Sequence, residues 1–246
     1  MAAARIKDIR DNIAYADDAW RELSDLVAEA QRADNQVKHI GQKAGAVLQA
    51  ARECFDYCAA DLRDDFLAKN VSAYFPFHPD SLSKGKPFHD LRSIEPRLYD
   101  ALLSLSERIR DRKVIPSTLA LYSDAAAINS LVNSKKHHAV IETIETTDQF
   151  TIMDFPDGRV VVARAWPGIG PDGVPRPPAN FKAKPEHWHT SPGVEVTSAK
   201  SFSLKEGLGA SRSDIPAFCM ISVLAARRIL GEVYNFAYGE PSDLFS

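Results

Sequence analysis

The sequence predicts a mainly α protein: an antiparallel helical bundle of four to five long helices, with a small β-sheet or hairpin inserted before the last one. Three observations predict it. Apolar residues recur at steps of three and four from Ile6 to Cys58, and again from Leu98 to Val132. The period drops to two after His138. A last apolar stripe, Phe218 to Phe236, returns to helical spacing and can only be buried against the earlier helices.

The first helix carries Ile6, Ile9, Ile13, Ala16, Trp20, Leu23, Val27 and Ala30 along one seam. After the polar break Arg32–Asn35, Val37, Ile40, Ala44, Val47, Ala51, Cys54 and Cys58 continue the pattern. Two such helices joined by a few residues fold back as a hairpin over 3–66, and Ala44 and Ala51 let the backbones approach closely. A loop over 69–92 follows, broken by Pro76, Pro79, Gly85 and Pro87 and anchored by Tyr74, Phe75, Phe77 and Phe88. Its aromatic content predicts that it packs by its own side chains.

The third helix is expected from Ser93, as cap, to Arg110, and the fourth after Pro116 with Leu121, Ala125, Ile128 and Val132 inward, so that the bundle fills 1–138. The β insertion spans 139–212. Val140, Ile144, Phe150 and Ile152 alternate, Pro156–Gly158 makes a turn, Val160–Trp166 is a β-branched run, and Val194–Leu204 is a further strand candidate. The closing helix occupies 213–237 with Pro216 in its first turn. No composition shift or repeat divides the chain, so one domain is expected over 1–246.

Hydrophobic residues make up 45% of the chain and charged residues 26%, the balance of a water-soluble protein with a sizeable core. A net charge of −3 excludes a nucleic-acid trap acting through the whole surface, so such binding needs a local patch. Cys54, Cys58 and Cys219 form neither a disulfide framework nor a zinc spacing and are expected as buried thiols of a cytoplasmic protein. The N-terminus lacks a signal-peptide apolar run, and no stretch approaches the ~20 apolar residues of a membrane span.

Polar, titratable residues gather at helical spacing in Leu131–Val140. Asn133 and His137 stand four apart, as do Ser134 and His138, so each pair shares a helix face. A neutral histidine serves as general acid or base near neutral pH, and Lys135 or Lys136 can hold a phosphate. The same cations also suit a helix C-terminus, where they meet the negative end of its dipole. In an up-down-up-down bundle this end lies beside the aromatic loop, which places His78, His89 and Asp90 at the same end of the molecule as Asn133 and His137.

Other motifs carry less. Arg108, Arg110, Arg112 and Lys113 lie roughly 30 Å from His137 along the fourth helix and make a solvated helix end. Gly168–Gly173 has dinucleotide-fingerprint spacing, but Val174–Pro178 follows instead of a helix N-terminus. His187 and His189 share one strand face without a third metal ligand at recognisable spacing, so no metal or other cofactor is expected.

Taken in order, Ala51–Tyr57, the Phe75-Pro76-Phe77 loop, the Asn133–His137 element at a helix end, a β insertion and a closing helix resemble a diffuse group of bacterial helical-bundle proteins related to the HEPN superfamily. The resemblance runs over most of the chain, through short motifs. It implies a four-helix core, a homodimer, and a role in RNA transactions, phage defence or a toxin–antitoxin system. Active HEPN ribonucleases pair an arginine with a polar residue and a histidine. Asn133 fits the polar position and His137 or His138 the histidine, whereas the arginine position falls near Val132, leaving Lys135 or Lys136 as the substitute cation. The implied function is an RNA- or nucleotide-binding protein, a metal-independent ribonuclease with His137, Asn133 and Lys136 catalytic and Lys135, His138, His89 and Asp90 binding. The alternative is an inactive helical scaffold.

Overall fold

The structure is a computed structural model, and it describes residues 4–33, 39–67, 71–135, 143–154, 160–164, 194–204 and 214–245. Helices α1 (Ile6–Ala33) and α2 (Ile40–Phe66) form an antiparallel hairpin. The seam is buried on α1 at Ile9, Ile13, Ala16, Leu23, Val27 and Ala30. Gly41, Ala44, Gly45 and Ala51, buried on α2, keep the two backbones close enough for the Cys54 thiol to lie 3.7 Å from the Ile9 carbonyl oxygen. Arg5 ties the start of α1 to the end of α2 through Asp61 and Asp64, both at 2.9 Å.

The aromatic loop packs on itself. Phe75 and Phe77 meet Phe55 of α2 edge-on, with ring centroids 4.8 and 5.0 Å away, and Phe88 is buried, while Tyr74 faces solvent. Two 3-10 turns, Pro79–Leu82 and Pro87–Asp90, shape the rest of the loop. The His78 ring accepts a hydrogen bond from the Asp80 N–H and so caps the first turn.

The expected third helix is broken in two, α3 (Leu91–Ile94) and α4 (Pro96–Arg110). Proline disfavours the helical region for the residue before it, and Glu95 accordingly sits at φ −140°, ψ 76°. Ser93 is therefore no cap; it lies inside α3, and its hydroxyl donates to the carbonyl of Asp90 just before that helix. The fourth expected helix also starts later. Residues 112–121 form a tight turn closed by a Val114–Leu121 bridge, and α5 runs from Ser123 to Lys135.

An antiparallel sheet in the order β2–β1–β3 joins β1 (Thr143–Asp154), β2 (Val160–Arg164) and β3 (Val194–Leu204). Phe150 stands opposite Arg164 on one side and Thr197 on the other. Helix α6 (Ile215–Tyr238) closes the chain, with the Asp214 carboxylate capping the Ala217 N–H and Gly239 at φ 72° ending it.

The expected fold class is corrected by this architecture. Six helices, not four or five, form a mainly α body among the described residues. Its packed core comes from helices and loops, with Phe202 reaching it from β3.

Helix α6 buries Phe218, Ala225, Ile229 and Val233, but Phe236, expected inside, is 62% exposed. It lies in the last turn and lines an open cleft, while Ala237 and Tyr238 beside it pack against the core. Contacts with α1 hold α6 in place: the Trp20 indole N–H donates to the Pro216 carbonyl at 2.9 Å, and Arg227 pairs with Asp17. The last described residues fold back, with Phe245 edge-on to Tyr234.

Candidate functional site

Arg52 lies on the α2 face shared with Leu48, Phe55 and Ala59, and is itself 94% buried, being only 6% exposed. An ionised group can be buried only if it is paired and hydrogen-bonded. Arg52 meets that demand three ways. Its Nε donates to Asn129 Oδ1 on α5 at 2.8 Å, its Nη1 lies 2.5 Å from Asp56 Oδ1, and its guanidinium sits 5.3 Å from the Phe77 ring centre. A planar guanidinium can serve two acceptors and an aromatic face together; an ammonium cannot.

Asn133, one turn beyond Asn129, donates from Nδ2 to the same Asn129 Oδ1 at 3.3 Å while staying exposed. One chain of contacts thus runs from the Phe75-Pro76-Phe77 loop through Arg52 and Asn129 to Asn133. It fixes the amide of Asn133 on the protein surface from inside the core. Arg52 and Asn129 were missed by the reading of the sequence alone. A signal was available: Arg52 is a lone cation three and four residues from Phe55 and Leu48 on an apolar helix face.

Of the other expected site residues, Lys135 closes α5, and Lys136, His137 and His138 lie outside the described residues, as do His187 and His189. His89 and Asp90 sit in the second 3-10 turn, where His89 Nδ1 is 3.9 Å from Asp90 Oδ1 and Asp90 is well exposed. The hydrogen bonds and ion pairs described for these two residues stay within Lys86–Ser93, without reaching Asn133.

The direction of α5 accounts for that separation. Tyr122, just before α5, donates to Glu232 at 2.6 Å, and Tyr234 donates to Asp61 near the end of α2. Asn129 then meets Arg52, further back along α2. Helix α5 therefore advances toward the N-terminal half of α2, away from the Phe66 end where the aromatic loop begins. Simple up-down-up-down order fails because the turn at 112–121 and α6 intervene.

Two further polar clusters are structural in form. Asp61, buried, accepts from Tyr234 and Arg5. Glu232 accepts from Tyr122 and Arg108, and the Arg108 guanidinium stacks on the Tyr122 ring. Burial first, then the Glu232 carboxylate, pushes the Tyr122 phenol up; burial likewise leads at Tyr234. Burial, and then Glu53, raises the Cys54 thiol to about 12, and burial raises Cys58 and Cys219 as well, so these thiols are not nucleophiles at neutral pH.

Among the described residues, no group of three or more His, Cys, Asp or Glu could hold a metal ion, and no helix is long and apolar enough to cross a membrane. A cleft of about 750 Å³ opens between α4 and α6, lined by Phe66, Glu95, Arg97, Asp100, Asn235 and Phe236.

The chain matches no family model, no curated protein and no solved structure. Its function has to be argued from its own residues.

Proposed function

We propose that this chain is a HEPN-like protein that binds RNA or a nucleotide at the end of α5, works as a homodimer, and cleaves RNA without a metal in a bacterial defence or toxin-type system. One observation carries the reading: the exposed Asn133 amide is anchored through Asn129 to the buried Arg52. An arginine thus stands behind the polar position of the Asn133–His137 element, supplied by α2 instead of α5. It acts by positioning, since its guanidinium is buried inside the protein. In this mechanism His137 takes the proton of the attacking ribose hydroxyl as its oxygen bonds to phosphorus. The phosphorus–oxygen bond to the next nucleotide breaks and the leaving oxygen takes a proton from water, while Lys136 faces the phosphate charge and Asn133 orients the group attacked. Lys135 and His138 add binding contacts.

The test is cleavage of end-labelled single-stranded RNA in EDTA by the wild type and by His137→Ala. Cleavage by the wild type alone supports the mechanism. Cleavage that His137→Ala leaves intact overturns the assignment of His137.

A second reading, a non-catalytic scaffold, is favoured by the same arginine. Its guanidinium is buried beside Asn129, Asp56 and Phe77, away from a phosphate at the surface. No cleavage by either protein, with no retention of labelled RNA on a filter, moves this reading ahead.

A further inference from the structure

Large apolar side chains are exposed at both ends of α4, and the two ends carry opposite charge. At the C-terminal end, the 112–121 turn presents Leu119, 89% exposed, and Val114, 64% exposed. Looseness does not explain this display. Ile115 N–H donates to the Ala120 carbonyl and Tyr122 N–H to the Lys113 carbonyl, both at 3.0 Å, while Ile115 and Ala120 are buried. Arg112 and Ser117 hold left-handed backbone, φ 55° and 62°, a conformation that costs free energy in any residue but glycine. The turn is a built protrusion with a leucine at its tip. Arg110 pairs with Asp111, and Arg112 and Lys113 add two exposed cations beside the apolar pair.

At the N-terminal end of α4 lies the cleft of about 750 Å³ against α6. Its exposed apolar surface is chiefly Phe236, beside Ala101 and over the buried Leu98, and its rim carries Glu95 and Asp100 around Arg97; the exposed Ile94 lies just before α4. A helix C-terminus, that of α6, ends at the same cleft and adds negative potential. The rim is net negative and the turn net positive.

We propose that the chain self-associates by seating the 112–121 turn of one copy, Leu119 foremost, in the α4–α6 cleft of a second copy. Arg112 and Lys113 then face Glu95 and Asp100 across the contact. Over 15 residues α4 spans about 22 Å at ~1.5 Å per residue, so two copies laid antiparallel along it make both contacts at once and close as a dimer. The inference rests on the homodimer part of the proposal above and assigns its surface; it is independent of RNA cleavage.

The test uses the full chain. Light scattering and sedimentation measure the mass of the wild type, Leu119→Asp and Phe236→Asp, each change being on an exposed side chain, with circular dichroism confirming the fold. A wild-type dimer is expected, and each substitution weakens it roughly tenfold or more. Raising the salt concentration also weakens it. Leu119→Cys and Phe236→Cys proteins, mixed with oxidised glutathione, form a disulfide-linked pair that neither forms alone; the native cysteines are buried. A monomeric wild type overturns both the interface and the homodimer. A dimer that neither aspartate weakens, or a mixture without the selective cross-link, overturns the interface alone.

Discussion

The buried hydroxyl of Tyr234 donates to Asp61 Oδ2 at 2.6 Å across 173 residues of sequence, while Arg5 holds the other carboxylate oxygen at 2.9 Å. This junction locks α1, α2 and α6 together at one end. Tyr234→Phe removes one donor to a buried charge and is expected to cost about 1–3 kcal/mol. Asp61→Ala leaves Tyr234 and Arg5 without their acceptor and costs about 3–5 kcal/mol. Urea unfolding of both variants measures the difference, and an Asp61→Ala protein as stable as wild type would contradict the assignment.

Arg52 is expected to resist replacement even by lysine. Arg52→Lys keeps the charge but cannot serve Asn129, Asp56 and Phe77 together, and the loss is about 1.5–3 kcal/mol for a charge-assisted bond in a buried site. The same variant loosens Asn133, so RNA retention falls along with the melting temperature. Asn133→Ala, on the surface, lowers retention while leaving the melting temperature within a degree or so.

Gly231 touches the returning chain so closely that a Cβ there would overlap the Ser242 carbonyl oxygen. The obstacle is backbone, so the tail must move. Gly231→Ala is expected to cost about 1–3 kcal/mol and to free Phe245 from Tyr234. Limited proteolysis should then clip the C-terminal residues of the variant faster than those of the wild type.

The three buried thiols give stability a defined pH dependence. Each is raised above its ordinary value of 9.0, Cys54 to about 12, so folded and unfolded chains are equally protonated below pH 9. Above it the unfolded thiols ionise first, the unfolded state binds fewer protons, and stability is lost as the pH rises toward the folded values. The melting temperature should fall from pH 9 to 12, and Cys54→Ala should flatten part of that fall. At pH 8 iodoacetamide should label the native protein slowly and the urea-unfolded protein fast.

The long helices were legible because Ile9, Ile13, Ala16, Leu23 and Val27 repeat with the period of the helix and are all buried. Boundaries set by single backbone effects were harder. Pro96 splits α3 from α4 through its effect on Glu95, and Arg112 and Ser117 adopt left-handed backbone that no turn-favouring glycine announces. Phe236 continues the apolar stripe of α6 but is exposed, whereas Tyr238 beyond it packs on Phe66. At the candidate site, spacing alone singles out Asn133, which the structure joins to Asn129. Arg52 and Asn129 were not singled out, because they are 77 residues apart and helix order was taken as simply alternating. Lys136, His137 and His138 fall outside the described residues.

Helix α6 reaches α1 through Trp20 to Pro216 and Asp17 to Arg227, contacts that span 196 and 210 residues. Such pairings are slow to find. During synthesis the α1–α2 hairpin emerges first, and its apolar groove stays unfilled until nearly the whole remaining chain has left the ribosome. Helix α6, the partner that fills it, arrives last.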